Sequence, residues 1–545
     1  MASMLSVLKY VLPLNRVHVE SWEVVTETVE RYAETFERAI IIVHARPFKR
    51  CQCQCPKCGR KCAKNGHKHE EESTWRAPDL NGVPVLIKYR PQRVKCPECG
   101  ALNEWVPWAD GESRFTQDFN NEVAWLAGRM SKSAIATFLG IDWRTVGNCV
   151  KAAHDRLEPD VEDRVHCGLR RICVDETSYS KGHKYITVVY DMDRNRVVWV
   201  HERHGRKVFE EFCKLLTPEE RLAIRVVAGD GARWIDECVG DYFERATRCV
   251  DFFHVVGWAN DALDDVRVAT ANRVKREHDR LLKEFRGEEA EEARVREEAE
   301  AALAEARAEL DAMPRRGRPS RRKLELRARV AGLEAALAAR GAGRGRGRGK
   351  GGLSPEHQAK LDELEERRKA IKGARHALGH APERRTANQD QMVALIEAEQ
   401  PDLWQAFQLK ERLRVVLHLR DADEAAEQLD EWMGDASSCG IRPMEKLSEK
   451  IGRHRGNILN AVRLQANSAK SESCNTTIKA LIKMARGFRN LGNMKALIYL
   501  KCSDIVVPLH NRIQPSAEYQ LVMLAMATAR RRNREERERM QARTA

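Results

Sequence analysis

The sequence predicts a multidomain α+β chain, in which a small cysteine-rich domain and a helix-turn-helix precede an α/β core that a long all-α, partly coiled-coil insertion interrupts. Three observations predict it. Cys55-Pro56-Lys57-Cys58-Gly59 and Cys96-Pro97-Glu98-Cys99-Gly100 form two CxxC knuckles. Short apolar, β-branched runs fill the stretch from Ile172 to His254. From about Asn260 the composition shifts to Ala, Glu, Arg and Leu at helical spacing.

At 545 residues the chain is long enough for several domains, each with its own core. Lysine and arginine outnumber aspartate and glutamate by 95 to 81. The surplus is concentrated: Pro314 to Lys350 holds 13 basic residues against Glu325 and Glu334, a local +11 within a total of +14. An anionic polymer is the expected partner. The N-terminus lacks a basic leader and a cleavage site, and no run of about 18 apolar residues occurs, so a secreted or membrane-spanning protein is not expected. The expectation is a soluble, cytoplasmic protein. Seven of the 16 cysteines lie between Cys51 and Cys99, which in a reducing compartment favours metal over disulfides.

Residues 1–45 alternate apolar and acidic runs and end in a strand, Ile40-Ile41-Ile42-Val43. Residues 46–112 carry the knuckles. Each glycine lets backbone amides turn around bound sulfur, and thiolates from Cys55, Cys58, Cys96 and Cys99 make a closed structural Zn²⁺ site. A strand pair around Asn81-Gly82 fills the space between them. Cys51, Cys53 and Cys62 are read as free surface thiols, alternative ligation being the other reading. Residues 113–162 read as helix, glycine turn and helix through Gly140-Ile141-Asp142. If this is a DNA-binding unit, Arg144, Thr145 and Asn148 approach the major groove.

Residues 163–260 change character. Runs at Ile172 to Thr177, Tyr185 to Asp191 and Val197 to His201 are antiparallel strands joined by tight turns. A helix from Arg206 to Leu216 and strands at Ala223 to Ala228 and Thr247 to His254 follow. The order β, β, β, α, β, α, β is that of a ribonuclease H core. Residues 261–462 form the helical insertion, with apolar residues at near-heptad spacing (Leu281, Leu282, Leu303, Leu310; Leu324, Leu326, Val330, Leu333, Leu337) and a basic Arg/Gly-rich linker. Residues 463–505 return to the core as one long helix from Ser471 towards Leu500. Residues 506–545 are read as a C-terminal helix and charged tail.

Three carboxylates sit in chemically suggestive places: Asp175 and Asp230 at the ends of apolar runs, and Glu472 opening a basic helix. In a ribonuclease H core the first and fourth strands are neighbours, so Asp175 and Asp230 share an edge. Two Mg²⁺ (or Mn²⁺) ions held there can activate an attacking oxygen and stabilise a leaving one. Lys479, Lys483 and Arg486 follow Glu472 at i+7, i+11 and i+14 and would meet flanking phosphates. Arg316 and Arg318, in Arg316-Gly317-Arg318-Pro319, are read as a phosphate grip, with an AT-hook core as the sharper reading.

The knuckles, the helix-turn-helix, Val174-Asp175-Glu176, Asp251-Phe252-Phe253-His254-Val255, Gly440-Ile441-Arg442-Pro443 with His454, and Gly487-Phe488-Arg489-Asn490 occur in this order. Together they resemble a bacterial insertion-sequence DDE transposase of the ISL-three family. The resemblance implies a ribonuclease H-like core interrupted after its fifth strand, and Asp175, Asp230 and Glu472 as the metal-binding triad. Ala469-Lys470-Ser471-Glu472-Ser473 departs from the family's usual Asn-Gly and Glu-Gly pattern. Asp251 and His254 form an Asp-x-x-His pattern with a supporting role. The implied activity is recognition of an element's terminal inverted repeats, then metal-dependent strand cleavage and transfer on the nucleoid. Two ends must be held together, which implies a homodimer or higher assembly on DNA. The alternatives are a DNA-binding regulator or a DNA-bridging protein that is catalytically inactive.

Overall fold

The computed structural model describes residues 8, 12, 16–31, 34–67, 72–111, 113–158, 161–180, 182, 184–313, 320–341, 353–380, 385–466 and 469–510. Arg316 and Arg318, the Arg/Gly-rich linker and the charged tail lie outside the described residues. The described chain divides into two compact units: one up to Phe253 and again from Leu464, the other from His254 to Arg463.

The first unit begins with β1 (Val17–Arg31) and β2 (Glu34–Pro47), a long antiparallel ribbon. These join β4 (Ser73–Leu80) and β5 (Val83–Tyr89) in a sheet of order β1-β2-β5-β4, while β3 (Ala63–His67), β6 (Gln92–Cys96) and β7 (Gly100–Asn103) form a smaller sheet. The sequence expectation of a separate N-terminal segment is therefore corrected. Ile41 and Val43 of β2 share one core with Trp75, Val85, Ile87 and Trp108, so the strands before residue 46 belong to the same folded body as the cysteine-rich domain. Asn81 and Gly82, with φ of 52° and 83°, make the expected tight hairpin turn.

Three helices follow: α1 (Gln117–Ala127), α2 (Lys132–Leu139) and α3 (Trp143–Leu157). Each begins at a polar cap, since Thr116, Ser131 and Asp142 accept from backbone amides of the first turn. Gly140, at φ 64°, ends α2 in the left-handed region and turns the chain into α3.

The second large sheet contains β8 (Arg171–Ser180), β9 (Lys184–Asp191), β10 (Arg196–Glu202), β11 (Val226–Gly229) and β12 (Thr247–Val250), in the order β10-β9-β8-β11-β12. β8, β9 and β10 are antiparallel, whereas β11 lies parallel between β8 and β12. On one face Ile172, Val174 and Val227 pack with Phe209 and Phe212 of α4 (Arg206–Leu215) and Ile235 of α6 (Arg233–Tyr242). The short α5 (Pro218–Ala223), with a complete capping box at Thr217 and Glu220, occupies the start of the strand expected from Ala223. The last strand ends at Val250 rather than His254, because Asp251 Oδ1 accepts the Phe253 amide at 2.8 Å and starts α7 (Phe252–Asp311).

The second unit is helical. α8 (Arg321–Gly341) and α9 (Pro355–Gly373) each touch α7: Arg322 pairs with Glu309 at 2.9 Å, and His357 stacks on Phe285 at 3.9 Å. Leu281 and Leu326 are buried, but Leu324 is exposed, since residues two apart cannot share a helix face. The short α10 (Arg375–Gly379) and α11 (Ala387–Glu399), α12 (Pro401–Val416), α13 (Ala422–Ser438) and α14 (Arg442–Arg463) complete the unit. Its core centres on fully buried Trp432, whose Nε1 donates to the Leu409 carbonyl at 2.7 Å.

Back in the first unit, the expected single helix is two: α15 (Ala469–Met484) and α16 (Leu491–Cys502). Arg486 and Gly487 take φ of 52° and 93°, which stops α15, and Asn490 caps α16. Of the stretch expected to be C-terminal helix, the described residues 506–510 are not helical, and the rest lies outside the described residues.

The parallel approach of β8 and β11 sets a sharp prediction. A Cβ on Gly229 would lie 2.9 Å from Ile235 Cδ1 and 3.0 Å from the Val174 carbonyl oxygen, a backbone atom that cannot step aside. Gly229→Ala is expected to destabilise the first unit by about 1–3 kcal/mol, the usual scale of overpacking, measured by denaturant unfolding.

Candidate functional site

β8, β11 and β12 run parallel with Val174, Gly229 and Val250 level with one another. The next residue along each strand is an aspartate: Asp175, Asp230 and Asp251. Neighbouring strands lie about 4.8 Å apart, so this edge gathers three carboxyl-bearing positions. Their surroundings separate them. Asp175 and Asp230 are half-buried, whereas Asp251 is 4% exposed and committed to the first turn of α7. Asp230 Oδ1 accepts the Ala232 amide at 2.9 Å, and the Arg248 guanidinium donates to the Asp230 carbonyl. His254, half-buried, lies in the first turn of α7, where the second unit begins.

Side chains alternate along a strand, so Val174 and Glu176 face α4 and α6 while Cys173 and Asp175 face the other side of the sheet. That side is covered by α15 and α16. Asn475 of α15 donates from Nδ2 to Asp175 Oδ2. The Val200 amide of β10 donates to Tyr499 Oη of α16 at 3.0 Å. Glu472 belongs to α15, three residues before Asn475, and its side chain is outside the described residues. Lys479 and Lys483 are exposed on α15, but Arg486 lies beyond its end, so the three basic residues do not share one helical face. The reason is the left-handed break at Arg486 and Gly487.

Sequence reasoning missed Asn475, because a lone asparagine carries no pattern until the helix is docked. It also missed Glu176 as an anchor. Its carboxylate accepts the Gly205 amide at 2.7 Å at the start of α4, and burial pushes its carboxyl above the ordinary range. Asp230 and Asp175 add to that upward shift, while the Gly205 amide and His204 oppose it.

The four knuckle cysteines converge: one sulfur from each of Cys55, Cys58, Cys96 and Cys99 lies within 4.8 Å of the others. Tetrahedral Zn–S bonds require sulfurs about 3.8 Å apart, and Cys58 and Cys96 stand at 3.6 Å. Gly59 and Gly100 follow the knuckles at φ 70° and 82°. The backbone amides of Cys99 and Glu98 hold the Cys96 thiol down to about 6, and the Cys58 amide leads the lowering of Cys55. Burial and neighbouring sulfurs push Cys99 up to about 12. A thiolate-rich set of this shape fits a structural zinc ion. Cys51 and Cys53 are not surface thiols as expected but are 4% and 6% exposed; Cys62 is half-buried beside the four. Glu104 ties the knuckle to the sheets, accepting from the Cys53 amide at 2.5 Å, the Gln92 amide at 2.7 Å and the Tyr89 hydroxyl at 2.7 Å.

In the helix-turn-helix, Arg144 and Asn148 are exposed and Thr145 is half-buried on α3. The opposite face of α3 is fixed by Val146, Val150 and Ala153, in one core with Leu481 of α15 and Ala496, Leu497 and Leu500 of α16. A Cβ on Gly147 would collide with the Asn493 amide, so α3 and α16 approach closely. No described helix is long and apolar enough to cross a membrane.

Replacing Cys96 by serine is expected to abolish stoichiometric zinc in the full-length chain and to lower its Tm. Metal analysis and calorimetry on the same preparation would check both, and an unchanged zinc content would exclude this ligand set.

Comparison with known proteins agrees along nearly the whole chain. Residues 172–308 and 354–498 match the ISL3 family described as "Transposase". Residues 104–154 match the helix-turn-helix domain of transposase family ISL3, and residues 51–99 the zinc-finger of transposase IS204/IS1001/IS1096/IS1165. The transposase for insertion sequence element IS1557 of Mycobacterium tuberculosis is 32% identical over 464 residues, covering 85% of this chain and 88% of the relative. The transposase for insertion sequence element IS1001 of Bordetella parapertussis is 27% identical over 238 residues, 43% of this chain and 57% of that protein. With the zinc finger, the helix-turn-helix and the transposase region of that family matched one after another along it, the chain belongs to the ISL3 family of transposases.

Proposed function

We propose that this protein is a DNA transposase that binds the terminal inverted repeats of an insertion sequence and catalyses metal-dependent strand cleavage and strand transfer. The observation that carries the reading is the register of β8 and β11, which brings Asp175 and Asp230 side by side and half-open at one sheet edge. The order and pairing of the five strands support a ribonuclease H-like core. Two hard carboxylates at this spacing suit a small divalent cation such as Mg²⁺ or Mn²⁺. Glu472 is the proposed third carboxylate, since α15 packs on β8 and its neighbour Asn475 reaches Asp175.

A bound divalent cation would supply activation of the attacking oxygen and charge stabilisation of the leaving oxygen. The chain's own residues do the rest. Arg144, Thr145 and Asn148 on α3 read base edges of the transposon end in the major groove. Lys479 and Lys483, one turn apart and exposed, grip phosphates flanking the carboxylates. Arg486 binds phosphate from the turn after α15. Asp251, at the end of β12, takes a supporting role at the edge, and His254, the other member of the Asp-x-x-His pattern, follows in the first turn of α7. Two ends brought together imply a dimer or larger assembly on DNA.

The test is excision of a marker flanked by the element's own ends, in variants shown to fold and to bind those ends. Asp175→Asn, Asp230→Asn and Glu472→Gln are each expected to lower excision by at least about 100-fold, the order lost when one electrostatic stabiliser of a transition state is removed. Undiminished excision in both aspartate variants would overturn the reading; undiminished excision in Glu472→Gln alone would move the third ligand elsewhere. Lys479→Ala and Lys483→Ala should each weaken end binding across sequences and reduce its salt slope by about 1.

A further inference from the structure

We propose that Asn475 is a positioning residue of the carboxylate site, aiming Asp175 towards the cation and tying α15 to the central strand. The inference rests on the reading of Asp175 as a metal ligand. Its observation is the hydrogen bond from Asn475 Nδ2 to Asp175 Oδ2, which joins two segments of the core that are 300 residues apart in sequence.

The choice of side chain matters chemically. A carboxylate has two oxygens and about four acceptor sites, and an amide N–H occupies one of them without neutralising the charge. The remaining oxygen keeps its negative character for a cation. A lysine or arginine in the same place would bind the carboxylate as an ion pair and compete with the metal. A neutral donor beside a ligating carboxylate therefore orients the ligand and leaves its affinity intact.

The helix around Asn475 is held so that this aim is fixed. Cys474, on its N-terminal side, is buried against Cys502 of α16 and near Cys173 of β8. Ile478, three residues on, is fully buried, and Leu481 joins the core shared with α3. Asn475 itself is half-buried. The amide thus has a strong donor contact and a backbone that cannot roll away from it. Its position within the helix also matters. Asn475 precedes Lys479 by four residues, a spacing that places the two on one face of α15.

The test uses full-length, zinc-loaded protein and Mn²⁺ as the probe, with binding followed by electron paramagnetic resonance. Asn475→Leu keeps the side-chain size and removes the donor; Asn475→Ala serves as a second variant should leucine disturb the packing. With Tm and end binding unchanged, the Kd for Mn²⁺ is expected to rise by about 10- to 100-fold, the usual cost of losing a partner that orients a metal ligand. The metal concentration needed for half-maximal strand cleavage should rise in parallel, and saturating Mn²⁺ should restore most of the rate. A merely structural asparagine would lower Tm without moving the Mn²⁺ Kd. An unchanged Kd in both variants, with Asp175→Asn weakening Mn²⁺ binding, would overturn the positioning role and leave the metal site standing. An unchanged Kd in Asp175→Asn would overturn the metal-site reading, and this inference with it.

Discussion

The close parallel pairing of β8 with β11 is the constraint on which the rest of the first unit depends. Parallel strands need crossover connections, and here the crossovers are short helices packed on one face only, through Phe209, Phe212 and Ile235. The pairing brings Val174 and Gly229 into such contact that a methyl group on the glycine would meet backbone. Glycine at that position is the condition for the strands to end together, and their ending together is what sets Asp175 beside Asp230. The chemistry of the edge is thus a consequence of backbone register before it is a consequence of side chains.

The other face of the same sheet belongs to α15 and α16, and these helices also complete the core of the helix-turn-helix. Leu481, Leu497 and Leu500 pack with Val146 and Val150, while Tyr499 touches β10 through its hydroxyl and His154 of α3 through its ring at 5.5 Å. Arg164 reinforces the arrangement, bridging Glu158 and Asp504 at 2.6 Å on both sides. The helix proposed to read DNA and the helix that touches Asp175 are therefore parts of one packed layer. A rigid layer of this kind carries small displacements from one element to the next, because packed cores deform little. It also means that the chain must return from the second unit before the first can close. Loop-closure entropy grows only slowly with length, and a second unit with its own core around Trp432 need not wait for the first.

Much of this was legible in the sequence because its features are local. CxxC knuckles followed by glycine, capped helices around Gly140 and alternating β-branched runs each state their geometry within a few residues. Asp175 and Asp230 were legible as strand ends, and the pairing of β8 with β11 could be expected from element order. What was not legible depends on contacts made at long range. The ribbon of β1 and β2 reads as a segment separate from the cysteine-rich domain because its partner, β5, lies some forty residues further on. The single helix expected from Ser471 towards Leu500 hid its break because Arg486 is an ordinary helix former, and only its left-handed φ reveals the turn. Cys51 and Cys53 looked like spares because burial beneath Glu104 requires the folded knuckle. Asn475 had no signature at all: its meaning comes from a strand on the far side of the insertion.

The three aspartates at the strand ends pose a final question of roles, and their burial separates them. Asp251 is as close to the edge in sequence register as its neighbours, so position alone would nominate it as the third ligand. Its oxygen is engaged with the Phe253 amide, and the side chain is almost wholly buried at the start of a helix. Asp230 makes the same kind of bond, accepting the Ala232 amide at 2.9 Å, so it is burial that sets Asp251 apart. Asp175 and Asp230 are only half-buried, and the amide that Asp175 receives from Asn475 leaves its charge in place. The sheet thus leaves two half-buried carboxylates, Asp175 and Asp230, at the edge that α15 covers, and the proposed third ligand is to be sought on that helix. That is the physical case for seeking it on α15, at Glu472, rather than along the edge of the sheet.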